Sequence, residues 1–426
     1  MYTILFLSAV IIALVYLIYM QPASHRTIFE PGVIILGLFS LCYLAPALAI
    51  HIGANILSVD DIENVESISL YGLLFVVSFV FFYIATKIVR RVRVFPEVNI
   101  SIGWSPGKCF IGVISTFLII KTIFLYYGVG DSGDYAGQYF ERASMPQAVR
   151  QAVNILSAIQ WVLVYLLLAT SISSSNLKYA MFFVWAAFFV YFVDMWITNS
   201  RSIFVMYSLV FIVTYMFYNR SIGLRKEIIY ATLFITIMGL FAYKRANFDG
   251  EIDVNVIDIL IPSEFIAIYQ NALHLMSISG SSDFVQPPGS SYLQSLIAFI
   301  PKQINDEKWD LASWYVGEYF PGYAAQGGGL AFGIIPEALI NWGIISIVFQ
   351  AFIVSVVFRV SYVAACRTRS RSPNIWLLFY LFCISNIYNV IRSHSFSIFN
   401  GIALGFIVPF LILFLISRIR VAPRKL

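Results

Sequence analysis

Apolar runs of about 16–22 residues recur along almost the whole chain, separated by short polar stretches. Each is close to the length a helix needs to cross about 30 Å of hydrocarbon. The pattern predicts spans near residues 2–20, 33–50, 68–86, 110–127, 153–172, 179–198, 203–218, 228–243, 334–358, 375–391 and 396–417. One interruption is far longer than the rest, from about 244 to 333, where polar and semi-polar residues dominate. The expected fold is an all-α polytopic integral membrane protein with about 11 transmembrane helices. Residues 1–243 form an N-terminal bundle of about eight helices, and 244–333 form one large, partly helical loop. Residues 334–426 supply about three more helices and a basic tail.

Composition agrees: 60% of residues are hydrophobic, 12% are charged, and the mean hydropathy is +0.83. The first run, Tyr2–Met20, lacks a basic leader and a small-residue cleavage site, so it reads as a retained helix. The loops after the odd-numbered spans, together with the C-terminal tail, hold 18 of the 27 Lys and Arg and only three of the 22 Asp and Glu. Basic loops stay in the cytoplasm. The expected orientation therefore puts the N-terminus outside, the C-terminus inside and the 244–333 loop on the outer face. Of the four cysteines, Cys42, Cys109 and Cys383 fall in or beside spans and Cys366 in a basic loop, so no disulfide framework is implied.

The large loop has helical signals of its own. In Ser291–Ile300 apolar residues repeat at helical spacing until Pro301 stops the run, and Asp253–Leu273 is also amphipathic. Two readings fit: a lid lying in the membrane interface, or a small extracytoplasmic subdomain.

Polar residues within spans are costly and usually face a partner or a cavity. Lys121, Asp194, Glu337, Asn341, Asn386, Asn389 and Asn400 all fall in the outer half of the expected bilayer. A transporter places such groups near the midplane; this distribution points instead to a cavity open to the outside. Simple pairing of Lys121 with Asp194 across two helices is the alternative for that pair. Arg201, Lys244, Arg245, Lys302, Lys308 and Arg392 lie on the face where cations are otherwise sparse, which points to an anionic partner. The planar fork of arginine matches phosphate, and a lipid-linked pyrophosphate is one such anion. Snorkelling to phospholipid headgroups is the alternative for a single arginine. No His or Asp spacing in the loop matches a metal site, and no nucleotide-binding loop is present, so no cofactor is expected. The aromatic residues Trp309, Trp314, Tyr315, Tyr319, Phe320 and Tyr323 are candidates for stacking on sugar rings, although interfacial belts favour the same residues.

Several motifs follow one another in order. They are Asn-Ser-Arg-Ser-Ile-Phe (199–204), Tyr243-Lys244-Arg245, Ile300-Pro301-Lys302, and Gly-Gly-Gly-Leu-Ala-Phe-Gly-Ile-Ile-Pro-Glu-Ala-Leu-Ile-Asn-Trp-Gly (327–343). This order resembles the bacterial oligosaccharide repeat-unit polymerases, the Wzy-type O-antigen and capsule polymerases, most closely over residues 195–346. The resemblance implies a GT-C-like enzyme of the bacterial cytoplasmic (inner) membrane. Such an enzyme moves a growing glycan from undecaprenyl pyrophosphate onto another lipid-linked repeat unit. Its implied partners are undecaprenyl-pyrophosphate-linked oligosaccharides and membrane lipids, with a chain-length regulator as a further candidate and no nucleic acid. On this reading Arg201, Arg245 and Arg392 meet the pyrophosphate, and Lys244, Lys302 and Asn341 assist in binding substrate. Glu337 orients or deprotonates the acceptor hydroxyl, with His394 as second choice. Glu337 also follows Pro336 at an expected helix start, where a carboxylate acts as a cap. An O-antigen ligase would share the donor and differ in acceptor, and a lipid-linked oligosaccharide flippase would share the many helices.

Overall fold

The computed structural model describes residues 1–21, 27–53, 62–86, 104–130, 141–142, 144–174, 176–198, 202–219, 223, 225–229, 232, 263–297, 300, 309–325, 330–367 and 374–418. Among them the secondary structure is helical throughout, with no strand. The helices are α1 (Tyr2–Tyr19), α2 (Pro31–His51), α3 (Ile62–Ala85), α4 (Pro106–Tyr126), α5 (Gln147–Ile172), α6 (Leu177–Thr198), α7 (Ser202–Asn219), α8 (Ser263–Ile278) and α9 (Ser291–Leu296). They continue with α10 (Leu311–Tyr319), α11 (Pro321–Ala325), α12 (Ile334–Ile340), α13 (Ile344–Arg367), α14 (Ile375–Ser385), α15 (Ile387–Arg392), α16 (Ser395–Asn400), a π-helical stretch (Gly401–Ile407) and α17 (Val408–Arg418).

Eight helical stretches among the described residues are long and apolar enough to cross a membrane: 2–19, 31–51, 62–85, 106–126, 147–172, 177–195, 344–367 and 397–415. Shorter apolar helices cover Ile203–Tyr218, Phe265–Ile278 and Ile375–Ser385. The chain is thus a polytopic helical membrane protein. Most of the expected span at 228–243 lies outside the described residues.

Among the described residues two expected spans are interrupted and a third changes its helical winding. The run 334–358 is split into α12 and α13 by Asn341–Gly343, where Gly343 turns with φ +57° and its N–H meets the Ala338 carbonyl at 2.7 Å. The 375–391 run breaks at Asn386, whose side-chain amide turns back onto the Phe382 carbonyl at 3.0 Å. The 396–417 run passes through the π-helical stretch. Apolar composition is blind to the two breaks, because a few polar atoms make them. In the large loop, the helix expected over 291–300 ends at Leu296. The one expected over 253–273 appears as α8, which runs on to Ile278, and residues 253–262 lie outside the described set.

Several helices begin where local chemistry says they should. The Glu30 carboxylate caps α2 through Gly32 N–H at 2.9 Å, with Pro31 at the first helical position; Ser105 and Pro106 repeat the device at α4. Asn374 Oδ1 caps α14 by accepting from Leu377 N–H at 2.9 Å.

The chain forms two compact units that interleave in sequence: Met1–Arg93 with Arg220–Val360 and Ile387–Ile398, and Val94–Asn219 with Ser361–Asn386 and Phe399–Leu426. In the second unit α5 is the central helix, packed by α4, α6, α7, α14 and α17. Its run Val162–Ala169 is apolar on every side and buried at every position, as a helix surrounded by others requires. There the Lys121 ammonium meets the buried Asp194 carboxylate at 2.5 Å, so the two in-span charges pair across α4 and α6.

In the first unit α2 takes the central place, flanked by α1, α3, α8 and α15. At the start of α2 the buried Glu30 carboxylate also accepts from Tyr83 Oη and from Arg359 Nη1 at 3.2 Å, which satisfies a charge that would be costly alone. Further along α2, Tyr43 Oη accepts from the Ile335 N–H at 3.3 Å and so serves the start of α12.

Candidate functional site

The polar centre of the first unit is built around α12, a helix of seven residues that carries Glu337 and is followed directly by its C-cap residue, Asn341. The approach to α12 is tightly fixed. Asn271 Nδ2 of α8 donates to the Ala331 carbonyl at 2.5 Å. Gly333 then turns with φ +90°, in space that no side chain can share. A Cβ there would press on Tyr43 Oη, lie 2.8 Å from Ile268 Cγ2 and sit 3.3 Å from the Ile391 carbonyl.

Glu337 is 2% exposed, and its carboxylate is ringed by donors. Oε1 accepts from Ser291 Oγ at 2.7 Å and from the Ser395 N–H at 3.1 Å. Oε2 accepts from the same N–H at 2.9 Å, from Ser395 Oγ at 2.9 Å and from Gln350 Nε2 at 3.0 Å. Ser395 is the first residue of α16, so its N–H is one of the groups a helix start leaves without an internal partner. Glu337 thus acts as a cap, but for α16 rather than for its own helix. Its acceptor positions are taken by α9, α13 and α16 together.

Asn341 plays the same part for α9. Its Oδ1 accepts from the Ser291 N–H at 3.1 Å and from Ser290 Oγ at 3.0 Å, while Nδ2 donates to Ser291 Oγ at 2.9 Å and to the Glu337 carbonyl at 2.8 Å. Gln350 Nε2 extends the network by donating to Tyr292 Oη at 2.8 Å. The Tyr292 ring packs against Trp342 and Phe349, with centroids 5.2 and 5.7 Å away.

His394 lies beside this network in the link between α15 and α16, 4% exposed. Its carbonyl accepts the Ser397 N–H at 3.1 Å, and its Nε2 contacts Asp310 Oδ1 and lies 3.2 Å from Ser397 Oγ. Asp310 also caps α10: its Oδ2 accepts from Ser313 N–H at 3.0 Å and Ser313 Oγ at 2.8 Å. Partial burial works to raise the Asp310 carboxyl, but the hydrogen bond and charge of His394 and the bonds from Ser313 outweigh it, so its pKa lies below the ordinary value. Arg392, in the last turn of α15, is half-buried with its guanidinium carbon 5.7 Å from the centre of the Tyr388 ring.

The structure therefore brings Glu337, Asn341 and His394 into one region, with Arg392 two residues from His394. Arg201, Lys244, Arg245 and Lys302 lie outside the described residues. Ser291, Asp310, Gln350 and Ser395 complete the cluster and were not picked out by sequence reasoning. Asp310-Leu-Ala-Ser313 before an apolar run is a legible helix cap, but its contact with a histidine 84 positions away leaves no local trace.

The loop aromatics divide in two. Tyr315 is fully buried, and Trp309, Trp314 and Tyr319 pack into the same cluster with Phe332, Leu275 and Ile340. Phe320 and Tyr323 stay exposed. His274 of α8 joins this cluster, its Nδ1 2.8 Å from Tyr315 Oη, and burial holds its imidazole below the usual pKa.

Among the described residues no group of three or more His, Cys, Asp or Glu side chains is placed to hold a metal ion. Cys42, Cys109 and Cys383 are buried, Cys366 is exposed, and all four are free thiols. No protein-family model, curated protein or solved structure matches the chain.

Proposed function

We propose that the protein is a glycosyltransferase that polymerises undecaprenyl-pyrophosphate-linked repeat units at the outer face of the bacterial cytoplasmic membrane. The observation that carries this reading is the acid–imidazole cluster of the buried Glu337 and His394 with the half-buried Asp310. It is assembled from the Pro336–Gly343 motif, the large polar loop and the segment that carries Arg392. A site of this kind suits a reaction in which a hydroxyl is oriented and loses a proton while a pyrophosphate departs.

In the proposed reaction the acceptor sugar hydroxyl attacks the anomeric carbon of the donor. The anomeric carbon–oxygen bond to undecaprenyl pyrophosphate breaks, and its electron pair leaves with the phosphate oxygen. Arg392 and the loop cations Arg201, Lys244, Arg245 and Lys302 stabilise that charge. Every acceptor position of the Glu337 carboxylate is committed to a donor, which favours His394 as the group that takes the hydroxyl proton and Glu337 as the group that holds the site together.

The test is a surface-glycan gel of a strain lacking the gene, complemented with wild type or Arg245→Ala. A ladder shortened to core plus a single repeat, restored by wild type alone, supports polymerisation and a role for Arg245. Accumulation of lipid-linked polymer with no attached glycan would identify a ligase instead, and an unchanged ladder would refute the polymerase reading.

A further inference from the structure

The contact between His394 and Asp310 joins two segments 84 residues apart, beside the carboxylate contacts that serve the starts of α10 and α16. Asp310 divides its two oxygens between tasks. Oδ2 is engaged by the Ser313 amide and hydroxyl at the start of α10, and Oδ1 faces the His394 imidazole. The cap leaves the carboxylate little freedom to swing, so the ring is met by an anion already held in place. A carboxylate accepts only, so the histidine nitrogen in contact with it, Nε2, is the one that carries hydrogen. In the neutral ring the basic lone pair then lies on Nδ1.

We propose that Asp310 is a positioning residue that fixes the tautomer and orientation of His394, so that Nδ1 accepts the proton of the acceptor hydroxyl. The inference rests on the polymerase reading above. In that step the hydroxyl oxygen forms the new glycosidic bond, its proton passes to Nδ1, and the imidazolium that results is stabilised by the Asp310 carboxylate. The bond that breaks is the one to the pyrophosphate, as before. Among the described residues, charged and titratable groups near His394 include Asp310 at the start of α10, Glu337 on α12 and Arg392 on α15, two residues away in the chain.

Asparagine and serine both cap helices well, so Asp310→Asn and Asp310→Ser each keep the start of α10. They treat His394 differently. The asparagine amide places a donor where the carboxylate accepted and drives the opposite tautomer, whereas serine is too short to reach the ring. The full-length protein in lipid nanodiscs is given undecaprenyl-pyrophosphate-linked repeat units extracted from cells lacking the gene. The kcat of Asp310→Asn is expected to fall about 10–100-fold with KM little changed, and below that of Asp310→Ser. In a His394→Ala background the Asp310→Asn change should cost no further rate.

Full activity of Asp310→Asn, or losses that multiply in the double variant, would overturn the assignment. A direct reading comes from wild-type protein labelled with [15N]histidine, the His394 signal being identified by its loss in His394→Ala. At alkaline pH the Nε2-protonated tautomer is expected, and the Nδ1-protonated one would overturn the proposal without any Asp310 variant. Failure of the wild type to make polymer from these repeat units would instead remove the polymerase reading on which the proposal rests, whatever the tautomer.

Discussion

Replacing Glu337 by glutamine is expected to destabilise the protein by about 2 kcal/mol, and replacing it by alanine by about 4 kcal/mol. The difference follows from the donors around the carboxylate. Two of them, the Ser395 N–H and the Gln350 amide, are fixed in direction, while the Ser291 and Ser395 hydroxyls can rotate. Alanine leaves both fixed donors buried and unmatched, at about 1–3 kcal/mol each, and opens a cavity besides. Glutamine can set its amide oxygen at the Oε2 position and keep both bonds, losing only the charge that strengthens them, about 1 kcal/mol each. Aspartate withdraws the carboxylate by one methylene from partners at 2.9–3.0 Å and should resemble alanine more than glutamine. Unfolding of the purified variants in detergent, followed by intrinsic fluorescence, gives the order, and the surface-glycan ladder gives activity. Wild-type stability in Glu337→Ala would refute the idea that this carboxylate ties α9, α12, α13 and α16 together. A Glu337→Gln protein as stable as wild type but unable to extend glycan would show that the charge acts on substrate instead.

Other outcomes follow from the same geometry. Gly333→Ala should destabilise by roughly 2–4 kcal/mol, because it adds a positive-φ penalty to a clash with Ile268; retention of the wild-type unfolding midpoint would contradict the packing at this turn. Lys121→Met should take the Lys121 ammonium away from the buried Asp194 carboxylate, so the Lys121→Met/Asp194→Leu double variant should be more stable than additivity allows, with a coupling of about 1–3 kcal/mol in a double-mutant cycle. His274 has a folded pKa below its ordinary 6.5, so the unfolded chain takes up the proton first. Its contribution is fully present above pH 6.5 and is lost as pH falls through the lower folded value; the unfolding midpoint should drop over that interval and drop less in His274→Gln.

Much of the membrane architecture is legible in hydropathy. Spans such as 2–19, 31–51 and 106–126 stand near their expected places because crossing hydrocarbon demands a long apolar helix whatever its neighbours are. Helix starts at Glu30-Pro31, Ser105-Pro106 and Asp310 are also readable, since a cap depends on residues within one turn. The polarity of Glu337, Asn341 and His394 marked them as candidates for the same reason: such residues are rare beside apolar runs.

Their partners were settled only by the tertiary structure. Glu337 looked like a base or a cap for its own helix, and the folded chain makes it the cap of α16, which begins 58 residues later. The breaks at Asn341–Gly343 and Asn386 likewise arise from a few hydrogen bonds inside otherwise apolar runs. A periodicity argument averages over a whole helix and cannot register them. The aromatic residues of the loop show the same limit: Tyr315 and Phe320 are near neighbours in sequence, yet one is core and the other exposed. Apolar length is a property of a segment by itself, so the sequence alone determined a polytopic helical protein. The matching of one carboxylate to donors on three other helices depends on which segments meet, and that was decided by the packing of the chain.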